Sequence, residues 1–239
     1  MKLLRRMGIV FFLAPSLVIV CMANARADNP ADAVVLSTRG YAVAKFKTAS
    51  TLVPLVKGAR LGVGDTIETG DGGKVQLKLP DKSMIVIGAN SWVVIKELGT
   101  VEVSKVYAST FELLEGKIRA VVTHLINKDS RFTIETNNTT AGVRGTDFGM
   151  TYDAVIDTTY LLTIEGSVYI TLANFPHLPP ISVTGGEEIS VLGDTQPSKP
   201  SRAAGETIFE FLGEMGIFGD GGNHGGGDRG GGRGGEGGN

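Results

Sequence analysis

Between residue 34 and residue 192, apolar and polar positions alternate in short bursts. Lys74-Val75-Gln76-Leu77-Lys78-Leu79 alternates strictly, the period of a strand with one face buried and the other wet. Val101-Glu102-Val103-Ser104-Lys105-Val106-Tyr107 begins the same way, as do Arg131-Phe132-Thr133-Ile134-Glu135-Thr136 and Val168-Tyr169-Ile170-Thr171-Leu172. Turn formers separate the runs: Gly70-Asp71-Gly72-Gly73, Gly88-Ala89-Asn90, Glu115-Gly116, Asn137-Asn138, Glu165-Gly166 and Gly185-Gly186. No helical periodicity of useful length interrupts them. Many short strands with closely spaced turns predict an all-β domain, either a short-stranded twisted sandwich or a solenoid-like stack.

One local pattern recurs. Leu114-Glu115-Gly116-Lys117-Ile118 and Ile164-Glu165-Gly166-Ser167-Val168 share apolar-Glu-Gly-polar-apolar. Glycine supplies the positive φ of a tight turn, and the flanking apolar residues point to a core. Two readings stand: a structural repeat, or two unrelated hairpins with the same turn chemistry.

The pattern changes at both ends. Lys2, Arg5 and Arg6 precede an apolar run from Gly8 to Met22, and Ala25-Arg26-Ala27 offers a small-x-small cleavage site. Residues 1–27 are therefore expected to be a signal peptide, with residues 28–195 as the β domain. An uncleaved anchor is the alternative, against which Pro15 interrupts the run. Pro197, Ser198, Pro200 and Ser201 mark residues 196–205 as a linker. Ile208, Phe211, Leu212 and Met215 then recur at i, i+3, i+4 and i+7, one apolar face of a short helix over 206–218. It is expected to pack over an open end of the β body; docking to a partner or a membrane surface is the second reading. Residues 219–239 are low-complexity. Thirteen of the 21 are glycine, and with no apolar side chain to bury, this tail is expected to be disordered.

Composition narrows the function. The single cysteine, Cys21, lies in the leader, which leaves no intramolecular disulfide and no multi-cysteine zinc site. Removing Lys2, Arg5, Arg6 and Arg26 from 23 basic residues leaves 19 against 25 acidic ones, a net charge of −6. That balance argues against nucleic acid and against anionic lipid. His124 ends a strand run, His177 sits among prolines and His224 is in the tail; none has metal-ligand spacing. Gly72-Gly73-Lys74 resembles a phosphate loop but lacks the earlier glycine and the following Ser/Thr. No nucleophile elbow and no acid/base carboxylate pair stands out. The expectation is a non-enzymatic domain without catalytic residues, cofactor or metal. Asn137-Asn138-Thr139-Thr140 holds overlapping Asn-x-Thr sequons, which predict only an exposed loop.

Four blocks in order resemble the FecR domain, found in bacterial periplasmic signalling and surface proteins. They are Leu61-x-x-Gly64-Asp65-x-Ile67-x-Thr69; Asp81-Lys82-Ser83-x-Ile85-x-Ile87-Gly88-x-x-Ser91; Leu113-x-x-Gly116-x-Ile118; and Ala141-Gly142-Val143-Arg144-Gly145-Thr146-Asp147-Phe148, with Gly166-x-Val168 completing the order. The signature residues are thus Gly64, Asp65, Asp81, Ser83, Gly116, Arg144, Gly145, Thr146, Phe148 and Gly166, and the resemblance implies structural roles for them. The family usually has Asp-Gly-Ser where this chain has Asp81-Lys82-Ser83, so the turn there is expected to differ. Arg144 is expected to lie partly buried as a clamp, with Asp65, Asp81 or Glu165 as its partner; contact with another protein is the alternative. The family's best-known member type relays a signal from an outer-membrane receptor to a cytoplasmic anti-sigma region. Here only Met1 to Met7 precede the apolar run, so a stand-alone exported version is expected, periplasmic or secreted, with no membrane span after cleavage. Its partner would be an envelope or extracellular protein. The alternatives are a structural or adhesin-type surface protein and a glycan-binding module using Trp92.

Overall fold

The computed structural model describes residues 29, 31–101, 105–123 and 127–216. The expected leader, His124, Phe218 and the glycine-rich tail with His224 lie outside the described residues. In chain order the strands are β1 (Ala33–Arg39), β2 (Ala42–Lys45), β3 (Leu52–Pro54), β4 (Arg60–Leu61), β5 (Thr66–Thr69), β6 (Lys74–Lys78), β7 (Met84–Ile87), β8 (Trp92–Val101) and β9 (Val106–Val121). They continue with β10 (Arg131–Glu135), β11 (Thr139–Val143), β12 (Asp147–Asp153), β13 (Thr158–Glu165), β14 (Ser167–Leu172), β15 (Ile181–Thr184), β16 (Glu187–Leu192) and β17 (Ser201–Arg202), followed by one helix, α1 (Gly205–Met215).

Strand pairing sorts these into two layers. The first sheet runs β4-β1-β6-β7-β9-β12-β13-β16-β17. The second runs β3-β2-β5-β8-β9-β10-β11-β14-β15. Every pair is antiparallel except β9 with β10. Neighbours within each sheet follow the chain closely, so the two alternatives merge: the cross-section is a sandwich, and its growth along the long axis is solenoid-like. Strand β9 belongs to both layers. Its first half pairs with β8 and β10, and its second half, from Gly116, pairs with β7 and β12.

The core fills the space between the layers. Phe111 and Phe132 of the second sheet lie 5.9 Å apart, and Phe132 meets Phe148 of the first sheet edge-on at 6.5 Å. All three are fully buried, and burying each stabilises by about 1.5–3 kcal/mol. The alternating runs supply the rest: Val75 and Leu77, Phe132 and Ile134, and Val168, Ile170 and Leu172 all point inward.

Three expectations need correction. The run 101–107 is no continuous strand: Val101 pairs with Val106 across the tip of the β8–β9 hairpin, and Lys105 turns with φ +51°. The sequon loop is only half exposed. Asn137 is at the surface, but Asn138 and Thr139 are buried. Asn138 is a hub, its Nδ2 donating to the carbonyls of Asp157 (2.8 Å) and Val191 (3.3 Å) and its Oδ1 accepting from Thr159 Oγ1 (2.6 Å) and Thr139 Oγ1 (3.0 Å). Finally, α1 covers no open end. It lies across the outer face of the first sheet, Phe211 against Gly149 and Met215 against Gly88.

Candidate functional site

The chain passes between the two sheets along two long edges. One edge is closed by polar turns. Asp65, fully buried, accepts the backbone N–H of Lys47 (2.9 Å) and of Gly62 (2.8 Å). Asp81 accepts both the N–H (2.9 Å) and the hydroxyl (2.8 Å) of Ser83, and Ser83 Oγ in turn accepts the N–H of Thr123 (3.0 Å). The Thr146 carbonyl accepts Val122 N–H (2.9 Å), and its hydroxyl donates to the Ser167 carbonyl (3.1 Å). Gly64, Gly145 and Gly166 bend the chain there with φ of +89°, +73° and +86°. Phe148 starts the adjoining strand and enters the core. These side chains satisfy backbone donors and acceptors that a crossing between layers would otherwise leave unpaired, each costing about 1–3 kcal/mol. Lys82 keeps the glycine-like turn instead of changing it, with φ +71°.

Gly116 is the signature residue at the other edge. Its φ is +90°, and an added Cβ would lie 2.4 Å from Ser91 Oγ and 2.5 Å from the Asn90 carbonyl. The Ser91 hydroxyl oxygen accepts Lys117 N–H at 2.9 Å. The recurring Glu-Gly pattern is therefore no pair of hairpins. Gly116 carries β9 from the second sheet to the first, and Gly166 carries the chain from β13 back to β14 in the second. Both glycines make the same sharp bend at opposite edges.

This second edge is apolar outside and acidic around. Tyr41, Trp92 (48% exposed), Val155 (93%), Ile156 (60%) and Leu192 lie along it. Short contacts join their positions. Gly70 backs the Tyr41 ring and its carbonyl accepts Asn90 N–H (3.1 Å). Trp92 pairs across from Glu115, whose carboxylate accepts Ala154 N–H at 2.8 Å. Leu192 pairs with Thr158 at the foot of the Val155–Ile156 turn. Glu68, Glu115, Asp153 and Asp157 supply the charge. Tyr152 donates its hydroxyl to Asp157 Oδ1 at 2.8 Å. Burial, then that hydrogen bond and the Asp157 charge, push its phenol up to about 12. Tyr160 is raised likewise, by burial and then by Glu188.

Two arginines differ in burial. Arg144 is exposed. The buried guanidinium is Arg119, which donates to both oxygens of Asp147 at 2.9 and 2.7 Å and to the Met215 carbonyl at 3.2 Å. Such a bidentate fork fixes geometry as well as charge. Of the acidic residues weighed beside Arg144, Asp65 and Asp81 are buried and Glu165 is exposed. Among the described residues no group of His, Cys, Asp and Glu is placed to hold a metal ion, and no helix is long and apolar enough to cross a membrane.

A family model described as FecR protein matches residues 65–169. Two crystal structures of a candidate anti-sigma factor from Parabacteroides distasonis ATCC 8503 share the fold, each at TM-score 0.50 and 16% identity over 62% of this chain. The chain spans 63% and 64% of the length of those two chains. No curated protein matches it. The matched span begins at Asp65 and holds Asp81, Ser83, Gly116, Gly145, Thr146 and Gly166 at the bends just described, and over that span the chain is similar to the FecR family.

Proposed function

We propose that this is an exported, non-catalytic FecR module that works by binding another protein, in a signalling role at the cell envelope. The observation that carries the reading is the apolar edge. Tyr41, Trp92, Val155, Ile156 and Leu192 gather on one side of a sandwich whose opposite edge spends its polar side chains on backbone turns. Exposed apolar groups rimmed by charge mark protein contact surfaces. The fold shared with a candidate anti-sigma factor supports a regulatory setting. The acidic rim favours a partner with a basic rim of its own.

The test is photo-cross-linking in the native cell from a probe at Val155, repeated in a Trp92→Ala/Ile156→Ser variant. A discrete partner band that disappears in the variant, at an unchanged melting temperature, is the expected result. Cross-links only between copies of the chain in large assemblies would favour a structural surface role instead. A second reading rests on the Trp92 ring, a flat aromatic with Glu68 and Glu115 beside it in register. Glycan-array binding abolished by Trp92→Ala would move the assignment to carbohydrate.

A further inference from the structure

On the outer face of the first sheet, Val86, Arg119, Gly149 and Leu162 stand opposite one another in adjacent strands and are buried, and α1 meets Arg119 and Gly149 there. The face is shaped for a helix. An added Cβ at Gly149 would lie 1.9 Å from Phe211 Cζ, and one at Gly88 would lie 2.8 Å from Met215 Sδ. Two missing side chains thus make two sockets, one for an aromatic ring and one for a thioether a turn later. Around the sockets stand two lysines, Lys74 and Lys117, and Arg119, whose charge is balanced by Asp147. Lys117 grips the Glu214 carboxylate at 2.6 and 2.7 Å, Lys74 donates to the Glu214 carbonyl, and Arg119 donates to the Met215 carbonyl. Cations at a helix C-terminus complement its dipole and its unpaired carbonyls.

The helix contributes little to its own stability. Its N-cap, Ala204, makes no side-chain cap hydrogen bond, and its last turn holds no basic residue. Gly205 and Gly213 lie within it, and interior glycine costs about 1 kcal/mol relative to alanine. An isolated helix of this length is marginal in water. The groove therefore holds α1, and the recognition chemistry resides in the sheet.

We infer that this groove is a docking site for an acidic amphipathic helix, and that α1 is its intramolecular occupant, released when a partner helix of the same chemistry competes. The partner presents an aromatic residue at i, glutamate at i+3 and a methionine or similar apolar side chain at i+4, with its C-terminus over Arg119. Charge complementarity and the two glycine sockets select this occupant over an apolar or basic helix. The inference uses a different surface from the apolar edge, so a null result with Trp92→Ala leaves it untouched.

The test uses the full chain and a fluorescent peptide with the sequence of residues 204–216. Phe211→Ala or Glu214→Lys in the chain loosens the cis helix, so the peptide is expected to bind either variant at least tenfold more tightly than wild type. Adding Lys117→Glu to the Phe211→Ala chain is expected to weaken the peptide tenfold, and a peptide carrying Glu214→Lys to recover that loss. No binding to either variant, with the β-sheet circular dichroism of wild type retained, would overturn the proposal. So would exchange of α1 between chains, seen as a concentration-dependent dimer, because the occupant would then be a second copy.

Discussion

At the edge containing Asp65, Asp81 and Thr146, side-chain oxygens are consumed by the backbone that bends around them. Across the sandwich, at the edge containing Trp92, Val155 and Ile156, Ser91 and Asn138 serve the backbone in the same way, but large apolar side chains also face water. Both edges solve the same mechanical problem, carrying a chain between two sheets, and both use glycines with positive φ to do it. They differ in what remains at the surface afterwards. The family signature falls almost wholly on the first edge, so it reports how the sandwich is closed. The exposed apolar side chains lie at the edge that holds Gly116 alone of the signature residues.

Mutations can separate the two edges by size of effect. The largest loss is expected for Gly116→Ala, because the new Cβ meets both Ser91 and the Asn90 backbone while the residue is held at φ +90°. Strain and overpacking together should cost about 4 kcal/mol, read by urea denaturation. A loss below about 1 kcal/mol would mean that β9 can bend elsewhere. Asp65→Ala should follow at about 3 kcal/mol, because it strands the N–H groups of Lys47 and Gly62 in the interior. Unlike the apolar-edge variants, it should leave partner cross-linking intact at a temperature where the fold persists.

The two arginines give the sharpest contrast. Arg119→Ala removes the counter-charge of a largely buried Asp147 and should cost about 3 kcal/mol, and it should also loosen α1. Arg144 stands at an exposed position, where a polar contact is worth about 0.2–1 kcal/mol, so Arg144→Ala should cost about 1 kcal/mol at most. Equal losses would make the signature arginine a clamp as strong as Arg119.

A smaller, pH-dependent effect belongs to the apolar edge. Tyr152 holds its proton more tightly in the folded state than in the unfolded one. Its contribution is complete below pH 10 and disappears as pH rises toward about 12. Thermal melts across that range should fall less steeply for Tyr152→Phe. The smallest change is a gain. Lys82 carries a side chain in a left-handed conformation at φ +71°, so Lys82→Gly should stabilise the β6–β7 hairpin by about 0.5 kcal/mol. A destabilised variant would show that the lysine side chain contributes more than its backbone costs.

The strands of the β body were legible because alternation is local: each of 74–79, 131–136 and 168–172 states which face is wet without reference to the rest of the chain. Their register was not, and neither was the role of each turn. Glu115-Gly116 and Glu165-Gly166 look like hairpin tips because a hairpin and a crossover ask the same positive φ of glycine. Only the pairing of β9 with strands of both sheets distinguishes them. Asn137 and Asn138 are identical in sequence terms, yet the carbonyls of Asp157 and Val191 reach only the second. Arg119 gave no local signal because the chain that buries it arrives 96 residues later.

Sequence alone determined the all-β class, the apolar face of α1 and the positions that must bend, since periodicity and backbone sterics act over a few residues. Tertiary structure decided which arginine is buried, which asparagine is the hub, where α1 lies and which edge presents Trp92 to solvent. Burial is a property of what other segments cover, and those segments come from distant parts of the chain.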